Sequence, residues 1–157
     1  MGTSQNVQAP PVLLVEDDPE DVYIARRAFE RGKLDRPLRV VEDGREALEY
    51  LDRTGRYAGP AQAPRPALIL LDLNLPYVSG LDVLAHVRSD PGLRGIPVVV
   101  LTTSDDEDDR RACGDAGASA YVTKPAQFDA LLEAVMKAVR QGLACSQLVP
   151  HGEAPAP

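Results

Sequence analysis

Short apolar runs alternate with longer amphipathic segments along the chain, and most of the runs end on a polar or charged residue. Val12-Leu-Leu-Val15 stops at Glu16-Asp17-Asp18-Pro19, the pattern of a buried strand followed by a helix start with proline in the first turn. Val22, Ala25 and Phe29 then recur at steps of three and four until Gly32, a natural C′ residue, which predicts the first helix. Leu38–Val41 reads as a second strand. Asp43, with Glu46 three residues on, caps a helix that carries Ala47, Leu48 and Leu51 inward and ends near Arg53. Residues Thr54–Pro66 are rich in Gly, Pro and Ala without periodicity, so they predict an extended surface connection, long for a helix-to-strand link.

Ala67-Leu-Ile-Leu-Leu71 is continuously apolar, as a strand covered on both faces must be, and it ends at Asp72. A helix over Leu81–Arg88 follows the stretch Asn74-Leu-Pro-Tyr-Val-Ser-Gly80, and an Asp90-Pro-Gly92 turn leads to the run Ile96–Leu101 with Thr102 at its end. Ser104 and Glu107 have capping-box spacing for a fourth helix, which should end between Gly114 and Gly117. Ala120–Thr123 is the fifth strand, closed by Lys124-Pro125. Phe128, Leu131, Leu132, Val135, Met136 and Val139 form the apolar stripe of the last helix. Parallel neighbours need a crossover, so five strands alternating with five helices predict an α/β fold: a doubly wound (βα)5 three-layer sandwich on a parallel five-stranded sheet. The flavodoxin-like strand order 2-1-3-4-5 suits this length. Residues 1–10 are expected to be a disordered segment, 11–142 the domain and 143–157 a flexible tail.

Composition narrows the function classes. With 157 residues, 44% hydrophobic and 26% charged, the chain should make one globular core. No run approaches the roughly 20 apolar residues of a membrane helix, and Met1–Pro11 is polar where a signal peptide would be apolar. A cytoplasmic address and no membrane association are the expectation. A net charge of −7 opposes nucleic-acid binding, which needs clustered Lys and Arg. Cys113 and Cys145 lack metal-ligand spacing and read as free thiols. His86 and His151 have no partner carboxylate at suggestive spacing and read as surface histidines. The acids Asp105–Asp109 favour a helix macrodipole and should be solvated.

Glu16-Asp17-Asp18, Asp72, Thr102 and Lys124 all end strands, so they share the carboxyl edge where open α/β sheets place their sites. Carboxylates converging in a partly dry crevice must take up protons or bind a hard cation, and Mg²⁺ is the natural choice. With the cation offsetting charge, an Asp carboxylate can attack a phosphoryl group; Lys124 supplies a mobile positive charge and Thr102 a hydroxyl for the phosphoryl oxygens. Asp18 reads as a helix N-cap.

The segments LLVEDDP, LLDLNLPYVSG, VVVLTTS and GASAYVTKP resemble the receiver domains of two-component response regulators, over roughly Val12 to Gln141. The resemblance implies a phosphoacceptor signalling protein rather than an enzyme, one that catalyses only its own phosphotransfer and dephosphorylation. It makes Asp72 the acceptor, Asp17 a direct Mg²⁺ ligand, Glu16 a ligand through water and Asn74 a ligand through its backbone carbonyl. Thr102 and Tyr121 match the family's switch pair, Lys124 its lysine, and the Lys-Pro bond at this place is often cis in relatives. Asn74 and Ser104 stand where relatives tune phosphoryl lifetime. The long Thr54–Pro66 connection, the LDLNLP wording and the lack of an output domain look like the small regulators that partner phytochrome-type histidine kinases. That implies a sensor histidine kinase as partner, bacterial phytochromes among the candidates, and a homodimer through helix 4, strand 5 and helix 5. Two rivals fit less well. An Asp-x-Asp phosphatase would need an acid where Asn74 stands, and a flavin binder would need a phosphate-cradling loop where EDDP stands. A degenerate receiver acting as a scaffold is disfavoured because every chemical position is intact.

Overall fold

A computed structural model describes residues 9–148. Its elements run β1 (Val12–Val15), α1 (Pro19–Gly32), β2 (Leu38–Val41), α2 (Gly44–Asp52), β3 (Leu68–Leu71), α3 (Gly80–Ser89), β4 (Val98–Thr102), α4 (Glu107–Asp115), β5 (Ala120–Thr123) and α5 (Phe128–Leu148), with one 3₁₀ turn at Gly55–Tyr57. The strands form one sheet in the order β2-β1-β3-β4-β5, parallel throughout, as expected.

The central strands are apolar on both faces because helices cover both. Val12, Leu14, Leu68, Leu70, Val99 and Leu101 face α1 and α5, where they meet Ile24, Phe29, Leu132, Val135 and Val139. The alternate residues Leu13, Val15, Ile69 and Leu71 face α2 and α3, against Leu51, Val83, Leu84 and Val87. Each such side chain contributes roughly 1.5–3 kcal/mol when fully buried, so the core and not local propensity fixes the register. Helix α4 is the exception: Cys113 is its one buried residue, packed with Leu73 and Val100.

Several local expectations shift. Helix α1 ends at Gly32 as expected, but the left-handed residue is the C-cap Lys33, at φ 50°, and not Gly32 itself. Gly32 is needed for packing, since a Cβ there would lie 2.3 Å from the Met136 methyl. Gly142, by contrast, does not stop α5; a Cβ would meet Leu68 at 2.2 Å, and the helix continues past the expected boundary at residue 142 to Leu148. Helix α4 is capped by Asp106, not Ser104, whose hydroxyl instead donates to Asp109. The Lys124–Pro125 bond is trans, where the resemblance had implied that cis is frequent. The connection from Thr54 to Pro66 is fastened rather than loose. Tyr50 donates to the Pro64 carbonyl, Arg53 to that of Ala63, and Arg65 back to Leu51, with Ala63 buried between them. The remaining terminal expectations, for residues 1–8 and 149–157 including His151, lie outside the described residues.

Candidate functional site

Three strand ends build the site. The chain leaves β1 through Glu16 and Asp17, and Asp18 turns it into α1 by accepting from the Glu20 N–H. That turn directs Glu16 inward, where it is 2% exposed, and leaves Asp17 exposed at the mouth. Asp72 follows β3 and is 9% exposed. The following segment folds back tightly: Gly80 donates its N–H to Leu73, and a Cβ there would stand 2.3 Å from the Asp72 carbonyl oxygen. Tyr77 takes φ 70° within that turn. Lys124 follows β5, and its backbone N–H donates to the Thr102 carbonyl, which joins the ends of β4 and β5.

The Lys124 ammonium lies 2.6 Å from Glu16 Oε1, 2.7 Å from Asp21 Oδ2 and 3.2 Å from Asp72 Oδ2. The other Glu16 oxygen accepts from the Asp18 N–H, and Asp72 Oδ1 accepts from the Asn74 N–H at 3.3 Å. Burial alone would push the Lys124 ammonium down, but hydrogen bonds to Asp21 and Glu16 and the charges of Glu16 and Asp72 hold it above the ordinary lysine value. Burial pushes the Glu16 carboxyl up to about 7 against the pull of Lys124, with the Asp72 charge adding to the rise. The two shifts have opposite balance: the surrounding acids favour the charged lysine, whereas burial works against the charge on Glu16.

Glu16, Asp17 and Asp72 each offer a carboxylate oxygen within 4.8 Å of the others, an all-oxygen set of the kind a hard divalent cation takes. The residues fit such an ion. Both Glu16 oxygens are already engaged, whereas Asp17 is exposed, so direct ligation falls more naturally to Asp17. Thr102 is fully buried, and the Ser104 N–H donates to its hydroxyl at 3.4 Å. Tyr121 is half-buried, donates to the Ser104 carbonyl at 2.8 Å, and carries the Arg110 guanidinium 4.5 Å from its ring centre.

The profile of the response regulator receiver domain matches residues 12–136. The chain belongs to the response-regulator receiver family. Its relatives include response regulator Rcp1 of Synechocystis sp., 41% identical over 128 residues that span 80% of this chain and 85% of Rcp1. Among solved structures, this receiver resembles the phosphorylated cyanobacterial phytochrome response regulator RcpA at TM-score 0.79 and 41% identity, covering 86% of this chain and 94% of that one. It also resembles the Mn²⁺-bound form of Rcp1 at TM-score 0.76 and 37% identity, covering 94% and 100% of the two chains. The receiver is therefore a signalling protein of a two-component system, phosphorylated on an aspartate, and a sensor histidine kinase is its partner class. No helix among the described residues is long and apolar enough to cross a membrane.

The structure thus brings Glu16, Asp17, Asp72, Asn74 and Lys124 to one place, with Thr102 and Tyr121 on the adjoining β4–β5 edge. The sequence reading missed Asp21. Its signal was available, because Asp21 lies in the first turn of the helix that starts directly after the β1 strand-end acids, at the same carboxyl edge as Lys124. It also missed the pairing of His86, whose Nε2 lies 2.8 Å from Asp52 Oδ1, as a correction to the partnerless histidine expected.

Proposed function

We propose that Asp72 is the phosphoacceptor. In the transfer, the P–N bond of a kinase phosphohistidine breaks with its electron pair going to the histidine nitrogen, while a P–O bond forms to an Asp72 carboxylate oxygen. Lys124 neutralises charge on the acceptor and then on the phosphoryl oxygens, and the Thr102 hydroxyl hydrogen-bonds them. Mg²⁺ would be held by Asp17, Asp72 and the Asn74 backbone carbonyl, with Glu16 acting through water, and would offset the repulsion between the two anions. The same groups would serve the protein's own dephosphorylation. The observation that carries this reading is Lys124 Nζ at 3.2 Å from Asp72 Oδ2, across 52 residues of sequence.

The resulting acyl phosphate biases Thr102 and Tyr121, and through them the surface of α4, β5 and α5, which we assign as a homodimer face. The similarity to the phytochrome response regulator RcpA favours a phytochrome-type kinase as donor, and the site of action assigned with it is the cytoplasm. Labelling by radioactive acetyl phosphate with Mg²⁺ tests the acceptor. Wild type is expected to label and Asp72→Asn not to; undiminished labelling of the variant would refute the assignment. Phosphotransfer profiling against purified sensor kinases tests the donor.

A further inference from the structure

Asp21 lies nearer to the Lys124 ammonium than the acceptor does: its Oδ2 is 2.7 Å from Nζ, against 3.2 Å for Asp72 Oδ2. The first distance is that of a strong charge-assisted hydrogen bond, and the second lies at the long limit of an N–H···O contact. Asp21 and Asp72 therefore compete for one lysine, and in the resting protein Asp21 has the better share. Water takes little part in the competition, because the Lys124 side chain is only 4% exposed.

The three carboxylates around the lysine are not equally fixed. Glu16 Oε2 also accepts from the Asp18 N–H and Asp72 Oδ1 from the Asn74 N–H, so backbone donors hold both in place. The Asp21 carboxylate has no second hydrogen bond among the described residues, and its side chain is 21% exposed, against 3% for Glu16 and 11% for Asp72. It also stands in the first turn of α1, where the positive pole of the helix favours a carboxylate whether or not the lysine is beside it. Asp21 can thus part from Lys124 at less cost than either of the other two.

We propose that Asp21 is a positioning residue for the phosphoryl transfer: it holds the Lys124 ammonium back from Asp72 in the resting protein and yields it to the phosphoryl oxygens. The proposal rests on the reading of Asp72 as acceptor and adds to it a residue that lowers the affinity of the crevice for a phosphoryl group. It also gives α1 a part in the switch, since release of Asp21 unties the first turn of that helix from the end of β5.

The test is titration of the full chain with beryllofluoride, a phosphoryl mimic, in saturating Mg²⁺, followed by fluorine NMR. Asp21→Asn keeps the shape of the side chain but exchanges a charge-assisted hydrogen bond for a neutral one, so its affinity should rise about fivefold over wild type. Glu20→Gln removes a charge from the same helical turn, on an exposed side chain, and should bind like wild type. Amide hydrogen exchange at residues 20–23 should quicken on loading in wild type; in Asp21→Asn it should be fast already and change no further. A carboxylate that only stabilised the fold would leave the response of those amides to loading intact. Unchanged affinity in Asp21→Asn, an equal gain in Glu20→Gln, or the same response to loading in wild type and Asp21→Asn would each overturn the proposal. Asp72→Asn should bind no beryllofluoride, and binding that survives there would instead overturn the acceptor on which the proposal rests.

Discussion

Lys124 Nζ lies 2.6 Å from Glu16 Oε1 although the two residues are 108 positions apart, and both side chains are almost wholly buried. Removing one member of a buried ion pair leaves the other uncompensated, at a cost of roughly 3–5 kcal/mol. Lys124→Ala should therefore lower stability by about that much in a chelator-containing buffer. Added Mg²⁺ should restore part of it, because a cation can replace the lost charge. Chemical denaturation with and without Mg²⁺ measures both effects, and a variant as stable as wild type in chelator would contradict the pairing.

Wild type should itself be stabilised by Mg²⁺, by about 1.4 kcal/mol at ten times the dissociation constant. The increment should vanish in Asp17→Asn and persist, reduced, in Glu16→Gln, since Asp17 is free to ligate directly and Glu16 is not. Melting curves over a Mg²⁺ series decide this. Equal losses in the two variants would sink the distinction between them.

Gly80 backs the acceptor so closely that a Cβ would lie 2.3 Å from the Asp72 carbonyl oxygen and 2.7 Å from Leu73 Cα. Overpacking of this kind costs roughly 1–3 kcal/mol. Gly80→Ala is expected to lose that stability and to slow acetyl-phosphate labelling, because the backbone under Asp72 must move. Labelling at the wild-type rate would show that the acceptor's position tolerates the shift.

Tyr121→Phe removes a hydrogen bond to the Ser104 carbonyl worth about 0.5–1.5 kcal/mol. Labelling of Asp72 should proceed as in wild type, because the phenol touches none of the reacting atoms. The difference between phosphorylated and unphosphorylated forms in sedimentation or in kinase affinity should shrink. An unchanged difference would remove Tyr121 from the switch.

Burial, together with the hydrogen bond to Glu46, pushes the Tyr57 phenol up to about 12. Between pH 10 and 12 the unfolded chain loses this proton while the folded protein keeps it, so stability should fall as pH rises through that window. Tyr57→Phe should be somewhat less stable at neutral pH and should show a smaller loss over the same range. Alkaline denaturation of the two proteins side by side provides the check.

The fold was legible because its evidence is local: apolar runs set the strands, three- and four-residue spacing set the helices, and parallel strands force the crossovers. The strand-end acids and Lys124 were legible for a related reason, since the carboxyl edge gathers whatever ends each strand. What escaped depends on distant partners. Gly142 looks like a helix stop until Leu68 is placed against it, and Gly32 ends α1 but leaves the left-handed cap to Lys33 because its own place is taken up by packing on Met136. Asp21 looks like an ordinary first-turn acid until a lysine 103 residues away arrives beside it. Ser104 has capping spacing, yet Asp106 sits nearer the helix and takes the cap.

An alkylammonium has three hydrogens to give, and in Lys124 each has a taker: Glu16, Asp21 and Asp72. A fourth acceptor can be served only by dismissing one of these. Glu16 and Asp72 are rooted at strand ends, deep in the sheet, whereas Asp21 rides on a helix and is the most accessible of the three. The occupancy of the crevice and the tether on the first turn of α1 are thus two readings of one ledger of protons, and a newcomer to the crevice is announced at that helix.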